Sequence, residues 1–123
     1  MSATLLAAIA AVLVGGCASV LRYLVSVVLA GRTALPLAVL VVNVVGSAIG
    51  GAVLGASHSG ALSADARLVI LGGLAGGLTT FSTWSVETIE LVQRGKWGAA
   101  FGSVALNLVL GITAAAACWA LTR

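Results

Sequence analysis

The sequence predicts an all-α membrane protein of four transmembrane helices, with the third broken near its middle. Three observations predict it. Hydrophobic residues make up 61% of the 123 positions and charged residues only 7%, whereas a soluble domain carries roughly a quarter charged residues. A soluble domain this small buries the least of its apolar surface and could not hide so much. The apolar residues also fall in four runs, each close to the about 20 residues that cross a bilayer. With three short turns these runs use up residues 1–123, giving one transmembrane domain and no soluble one. Lastly, the third run carries two glycine pairs followed by a hydroxyl cluster, a pattern that weakens a helix in its interior.

The first run extends from about Leu5 to Leu29 and closes at Gly31-Arg32-Thr33. Met1 to Ala10 has no basic n-region, and the apolar run continues past signal-peptide length, so an uncleaved first helix is expected. Pro36 opens the second helix, as proline does in a first turn, and that helix runs to about Ala56. Ser57-His58-Ser59-Gly60 reads as a polar loop in which His58 is solvated and has no role. Ser63 is placed to N-cap the third helix, expected over about residues 66–93. Arg94-Gly95-Lys96 is a tight turn, and the fourth helix covers about residues 97–121.

The break is expected where Gly72-Gly73 and Gly76-Gly77 lead into Leu78-Thr79-Thr80-Phe81-Ser82-Thr83. Irregular backbone at membrane depth survives only where it lines a cavity or is buried in protein, and broken spans commonly serve as binding sites. Small residues also serve plain helix packing. Packing alone, however, does not call for adjacent threonines followed by a serine and a third threonine.

Composition excludes several function classes. The net charge of +3 comes from scattered basic residues, so there is no patch for nucleic acid. Cys17 and Cys118 lie in apolar runs without ligand spacing and behave as small hydrophobes. No nucleophile–base set or metal-ligand set points to an enzyme. Four spans put Arg67 and Arg123 on one side and Arg32, Arg94 and Lys96 on the other. Two against three sets no orientation by the positive-inside rule.

Polar residues inside spans are costly and are functional candidates by default. Asn43, Gly46, Ser47 and Gly50 share one face of the second helix, which makes Asn43 either an interhelical clamp or a pore donor. Ser103 and Asn107, with Gly111, form a second polar stripe. Phe81 and Trp84 lie three apart, with Glu87 three further on. Ring edges carry partial positive charge, so the aromatic pair beside hydroxyls can solvate an anion edge-on, or simply pack on a neighbouring helix. Glu90 is expected to pair with Arg94 at the surface. Glu87 is deeper and either accepts hydrogen bonds or faces a vestibule, and its sign argues against direct anion contact. Arg22 can snorkel, cap carbonyls of the next helix or draw anions toward an entrance, and a structural role is expected.

The run Gly76-Gly77-Leu78-Thr79-Thr80-Phe81-Ser82-Thr83, followed by Glu87, resembles the signature of the CrcB/Fluc fluoride channels. Gly15-Gly16 with Arg22-Tyr23, Val42-Asn43 with Gly46, and Gly95 with the Asn107 row support the likeness along the whole chain. The resemblance implies a dual-topology, antiparallel dimer with two fluoride pores in the plasma membrane of a prokaryote, exporting fluoride passively and reducing its toxicity. It implies a pore lined by Asn43, Phe81, Ser82, Thr83, Trp84, Glu87, Ser103 and Asn107. It also implies a structural sodium ion at the dimer interface, held by the backbone carbonyls of Gly76 and Thr79. This chain departs from the family at Trp84, where phenylalanine is usual. It departs again at Ala38-Val39, where Gly-Thr is frequent, and at Ser103, where tyrosine is frequent. The departures fall on the pore rather than the fold and allow either a homodimer or a heterodimer with a paralogous chain. Two rival readings are a small multidrug-type cation/proton antiporter and a non-transporting membrane subunit. The first needs a carboxylate, typically in helix one, which here holds Arg22 instead; the second leaves the Gly/Thr break unexplained.

Overall fold

The computed structural model describes residues 2–123. The element order is α1 (Ala3–Leu29), α2 (Leu37–His58), α3 (Ala64–Arg67), a π-helical segment (Leu68–Ala75), α4 (Gly76–Leu78), α5 (Phe81–Gln93) and α6 (Trp97–Thr122). The elements from Ala64 to Gln93 form one interrupted third span. Among the described residues, four helices are long and apolar enough to cross a membrane. The chain is a multi-pass membrane protein.

Local chemistry sets the ends. The Ser2 hydroxyl accepts from the Leu5 amide at 3.3 Å and caps α1, two residues before the expected start. Pro36 precedes α2 as its cap rather than sitting in its first turn. The Ser63 hydroxyl caps the third span as expected, accepting from the Ala66 amide at 3.2 Å. His58 corrects the sequence reading: it is the last residue of α2, not a loop residue, and the chain turns at Gly60, whose φ of +75° suits glycine. The Arg94–Lys96 turn likewise pivots on Gly95 at φ +72°.

Packing runs through small residues, because lipid offers no hydrophobic drive between helices and close backbone approach supplies the attraction. α2 and α6 meet where Gly51 faces the Ala115 carbonyl; a Cβ at Gly51 would overlap it. One turn on, a Cβ at Gly55 would stand 2.6 Å from the Trp119 carbonyl. α1 lies against the third span in the same way. A Cβ at Gly73 would stand 2.7 Å from the Ala11 carbonyl, and one at Gly77 would overlap the Gly15 carbonyl. Large side chains point outward instead, as with Val12, Leu13 and Ile112, which is the arrangement expected where the surroundings are lipid. The small buried core joins α1, α2 and α4 through Ala18, Val42 and Leu78.

The interruption falls within the expected stretch, at its adjacent threonines rather than at its glycine pairs. Gly72, Gly73, Gly76 and Gly77 all remain helical, and the extended residues are Thr79 (ψ 155°) and Thr80 (φ −148°, ψ 123°). Packing against α1 offsets the helix cost of the glycines. The eight residues before α4 wind as a π-helix, a rare form that collects at functional sites.

Candidate functional site

The site is built around the two extended threonines. A continuous helix would give the Thr80 amide to the Gly76 carbonyl. Instead that amide donates to Asn43 Oδ1 at 2.8 Å. Asn43 Nδ2 returns a bond to the Thr80 carbonyl at 3.1 Å. Asn43 thus pairs with both backbone groups of one residue and replaces the helical bonds the break removes. Buried Thr80 then starts the next helix: its hydroxyl accepts from the Thr83 amide at 3.1 Å and donates to Thr83 Oγ1 at 3.1 Å. Ser82 Oγ lies 3.3 Å from the same hydroxyl.

The network continues into α6. Asn43 Nδ2 also donates to Asn107 Oδ1 at 3.1 Å, and Asn107 Nδ2 donates to the Ser103 carbonyl at 2.9 Å. The buried Ser103 hydroxyl accepts the indole N–H of Trp84 at 3.2 Å. That bond returns the path to α5. Phe81 and Trp84 meet edge-on, with centroids 5.5 Å apart and planes at 71°. Trp84 is half-buried, but Phe81 is 76% exposed, so its ring faces away from the rest of the chain. A cleft of about 300 Å³ lies beside the break, walled by Asn43, Ser47, Thr79, Thr80, Phe81, Trp84, Asn107 and Leu108.

The carbonyls exposed by the break have distinct partners. Gly77's accepts from the Ser19 hydroxyl at 3.2 Å, and Thr79's from Arg22 Nη1 at 3.1 Å. Arg22 therefore reaches the broken end of the third span rather than the helix that follows its own. Gly76 is exposed, and among the described residues no backbone amide replaces Thr80 at its carbonyl.

The structure thus brings Asn43, Phe81, Trp84 and Asn107 to one cleft, with Ser103 directly behind the indole. Ser82 and Thr83 flank Thr80. Glu87 is placed elsewhere, on a separate cleft of about 310 Å³ with Ser26, Thr33, Glu90 and Arg94. Its Oε2 is buried without a hydrogen-bond partner. Glu90 and Arg94 pair at 3.7 Å at the surface, as expected of an i,i+4 pair. Both polar atoms of the Asn43 side chain are engaged in clamping, and the residue also lies on the cleft wall. Two residues escaped the sequence reading as site members. Thr80 is the centre of the break, and the available signal was its spacing from Thr83, which fits a helix cap. Ser47 is on the cleft wall, one turn from Asn43 on the same face.

The fold and site together define a class: a four-span membrane protein whose third span is interrupted and clamped by polar side chains from two neighbouring helices, beside an aromatic pair. The chain belongs to the CrcB family: the family model described as "CrcB-like protein, Camphor Resistance (CrcB)" matches residues 9–119. Among similar proteins, the fluoride-specific ion channel FluC 1 of Nocardia farcinica is 42% identical over 118 residues, covering 94% of this chain and 80% of that one. The fluoride-specific ion channel FluC of Shewanella loihica is 39% identical over 98 residues, covering 78% and 79%. The fluoride-specific ion channel FluC 1 of Yersinia pestis is 45% identical over 97 residues, covering 76% of each.

Proposed function

We propose that this chain is a passive, fluoride-selective ion channel that exports cytoplasmic fluoride across the plasma membrane of a prokaryote. The observation that carries the reading is the clamped break: it places hydroxyls, side-chain amides and aromatic edges around one cleft, while the carboxylate of Glu87 sits outside it. Fluoride is small and strongly hydrated, so a pore must replace its water with hydrogen-bond donors, as carbonyls replace the water of a cation. The similar proteins named as fluoride channels support the same reading. Neutral HF crosses lipid, ionises in the more neutral cytoplasm and is trapped as the anion. Membrane potential then drives the anion out through a passive pore, without catalysis or a nucleotide.

The working form in this reading is an antiparallel dimer of identical chains, with a paralogous partner as the alternative. Phe81 supports it, because a ring 76% exposed from its own protomer needs a second surface to close a pore. The exposed Gly76 carbonyl, released from its helical partner, supports it too. Neutral carbonyl oxygens suit a hard cation, but two are too few for its coordination shell, so a sodium site at Gly76 and Thr79 requires oxygens from a second copy. The Thr79 carbonyl keeps one lone pair for this beside the bond from Arg22. Sodium bound there would supply positive charge that holds two broken spans together.

The deciding experiment reconstitutes the purified chain alone in liposomes and follows release with a fluoride electrode beside a chloride control. Rapid fluoride release without chloride release is expected. Release of neither ion from the chain alone, or with a co-expressed paralogue, would refute the reading.

A further inference from the structure

Asn43 has no hydrogen left to give an anion at the cleft. An anion is held only by groups with a hydrogen left to give. Asn43 Nδ2 has two, and it spends them on the Thr80 carbonyl and Asn107 Oδ1, each at 3.1 Å. The Thr79 hydroxyl donates to the Ala75 carbonyl at 3.0 Å, and the Thr80 hydroxyl to Thr83 Oγ1 at 3.1 Å. These three residues line the cleft but have nothing to offer an ion. Asn107 gives one hydrogen to the Ser103 carbonyl at 2.9 Å and keeps the other.

Ser47 keeps the only one it has. Many hydroxyls inside these spans are turned back on their own helix. Ser26, Ser57, Ser85 and Thr88 each donate to the carbonyl four residues earlier, at 2.7–3.0 Å. Among the described residues, Ser47 Oγ has no such partner, and it lies on the wall of the cleft. The opposite helix leaves room for it. Gly111 is one turn beyond Asn107, and a Cβ there would stand 3.4 Å from Ser47 Oγ. Asn43 faces Asn107 and Ser47 faces Gly111, so the free hydroxyl and the free amide hydrogen border one space.

We propose that the Ser47 hydroxyl joins the unspent N–H of Asn107, a residue already expected in the pore, in donating to the anion at this cleft, and that Asn43 is a positioning residue holding the break and Asn107 in place. The proposal rests on the fluoride-channel reading above. Fluoride, the most strongly hydrated halide, depends on these two hydrogens once its own water is removed.

The test is fluoride and chloride release from liposomes carrying the full chain or its Ser47→Ala and Ser47→Cys variants. A hydrogen bond to a charged group carries enough energy for roughly tenfold to hundredfold in a rate or affinity. Ser47→Ala is expected to slow fluoride release at least about tenfold on that scale. Ser47→Cys keeps the shape with a weaker donor and is expected to fall between the two. Both variants are expected to elute as the unaltered protein does. A purely structural role for Ser47 would tolerate the cysteine without loss of fluoride selectivity. Fluoride release from Ser47→Ala within about twofold of the unaltered chain, far below the loss expected for a charged hydrogen bond, overturns the proposal and leaves the channel reading standing. An unaltered chain that releases no fluoride, either alone or with a co-expressed paralogue, overturns the channel reading, and this proposal with it, before any variant is compared.

Discussion

Replacing Asn43 by leucine, close in size but without polar atoms, removes three hydrogen bonds at once: Thr80 N to Oδ1 at 2.8 Å, and Nδ2 to Thr80 O and to Asn107 Oδ1 at 3.1 Å. Interhelical hydrogen bonds within membrane proteins contribute on average about 0.6 kcal/mol each, which sets a lower figure near 2 kcal/mol for the three. The substitution also leaves the Thr80 amide and carbonyl unpaired in a part-buried place, at about 1–3 kcal/mol each, so the upper figure is about 6 kcal/mol. Even 2 kcal/mol is roughly a thirtyfold change in a local equilibrium. The assay is amide hydrogen exchange at Thr80 in detergent micelles, since exchange reports local opening. Exchange in Asn43→Leu is expected to rise about thirtyfold or more by that conversion, with fluoride release falling in parallel. Unchanged protection at Thr80 would refute the clamp, because the lost partner is the atom that protects it.

Other substitutions probe the remaining parts. Phe81→Leu removes an exposed ring, so it is expected to cut fluoride release while leaving thermal stability within about 0.5 kcal/mol; measured melting and efflux separate the two. Trp84→Phe and Ser103→Ala each break the one 3.2 Å bond between them, so the double variant is expected to lose no more fluoride release than the worse single one, whereas additive losses would show independent roles. Gly51→Ala puts a methyl group onto the Ala115 carbonyl and is expected to lower the melting temperature by several degrees or prevent folding, as read by size exclusion and thermal melting. Exchange of sodium for a large organic cation is expected to slow fluoride release or loosen the proposed dimer, and indifference in both readouts would remove the proposed Gly76–Thr79 site.

Local patterns in the sequence carried the spans and several caps, because hydropathy and capping act over a few residues. Ser63 was readable as a cap, and the Glu90–Arg94 pair follows from helix spacing alone. The position of the break was not local in this sense. Glycine pairs weaken an isolated helix, yet Gly73 and Gly77 lie where α1 approaches backbone to backbone, and that contact keeps them helical. Thr79 and Thr80 leave the helix because a side chain 37 residues earlier captures the Thr80 amide. The Trp84–Ser103 bond spans 19 residues and a reversal of chain direction, so no periodicity announces it. Ser47 was hidden by its smallness, since it sits in a row of small residues that reads as packing.

The same accounting explains why an interrupted span needs neighbours this polar. Each extended residue in lipid releases an amide and a carbonyl that must be paired within the protein. Arg22, Ser19 and Asn43 pair three of the carbonyls, and Asn43 pairs the Thr80 amide. A group that holds the break is thereby spent, and an ion can use only what remains. On the proposal above, polar residues around the cleft divide into those that keep it open and those that serve the ion. The division is set by hydrogen count rather than by which residues face the cleft. Trp84 falls with the first group, since its N–H is committed to Ser103 and only its ring edge is left to meet an anion. A phenylalanine there would leave the Ser103 hydroxyl without that donor and the ring free to turn. Trp84→Phe is then expected to alter fluoride-over-chloride selectivity more than total conductance, an outcome that the paired electrode measurement reads directly.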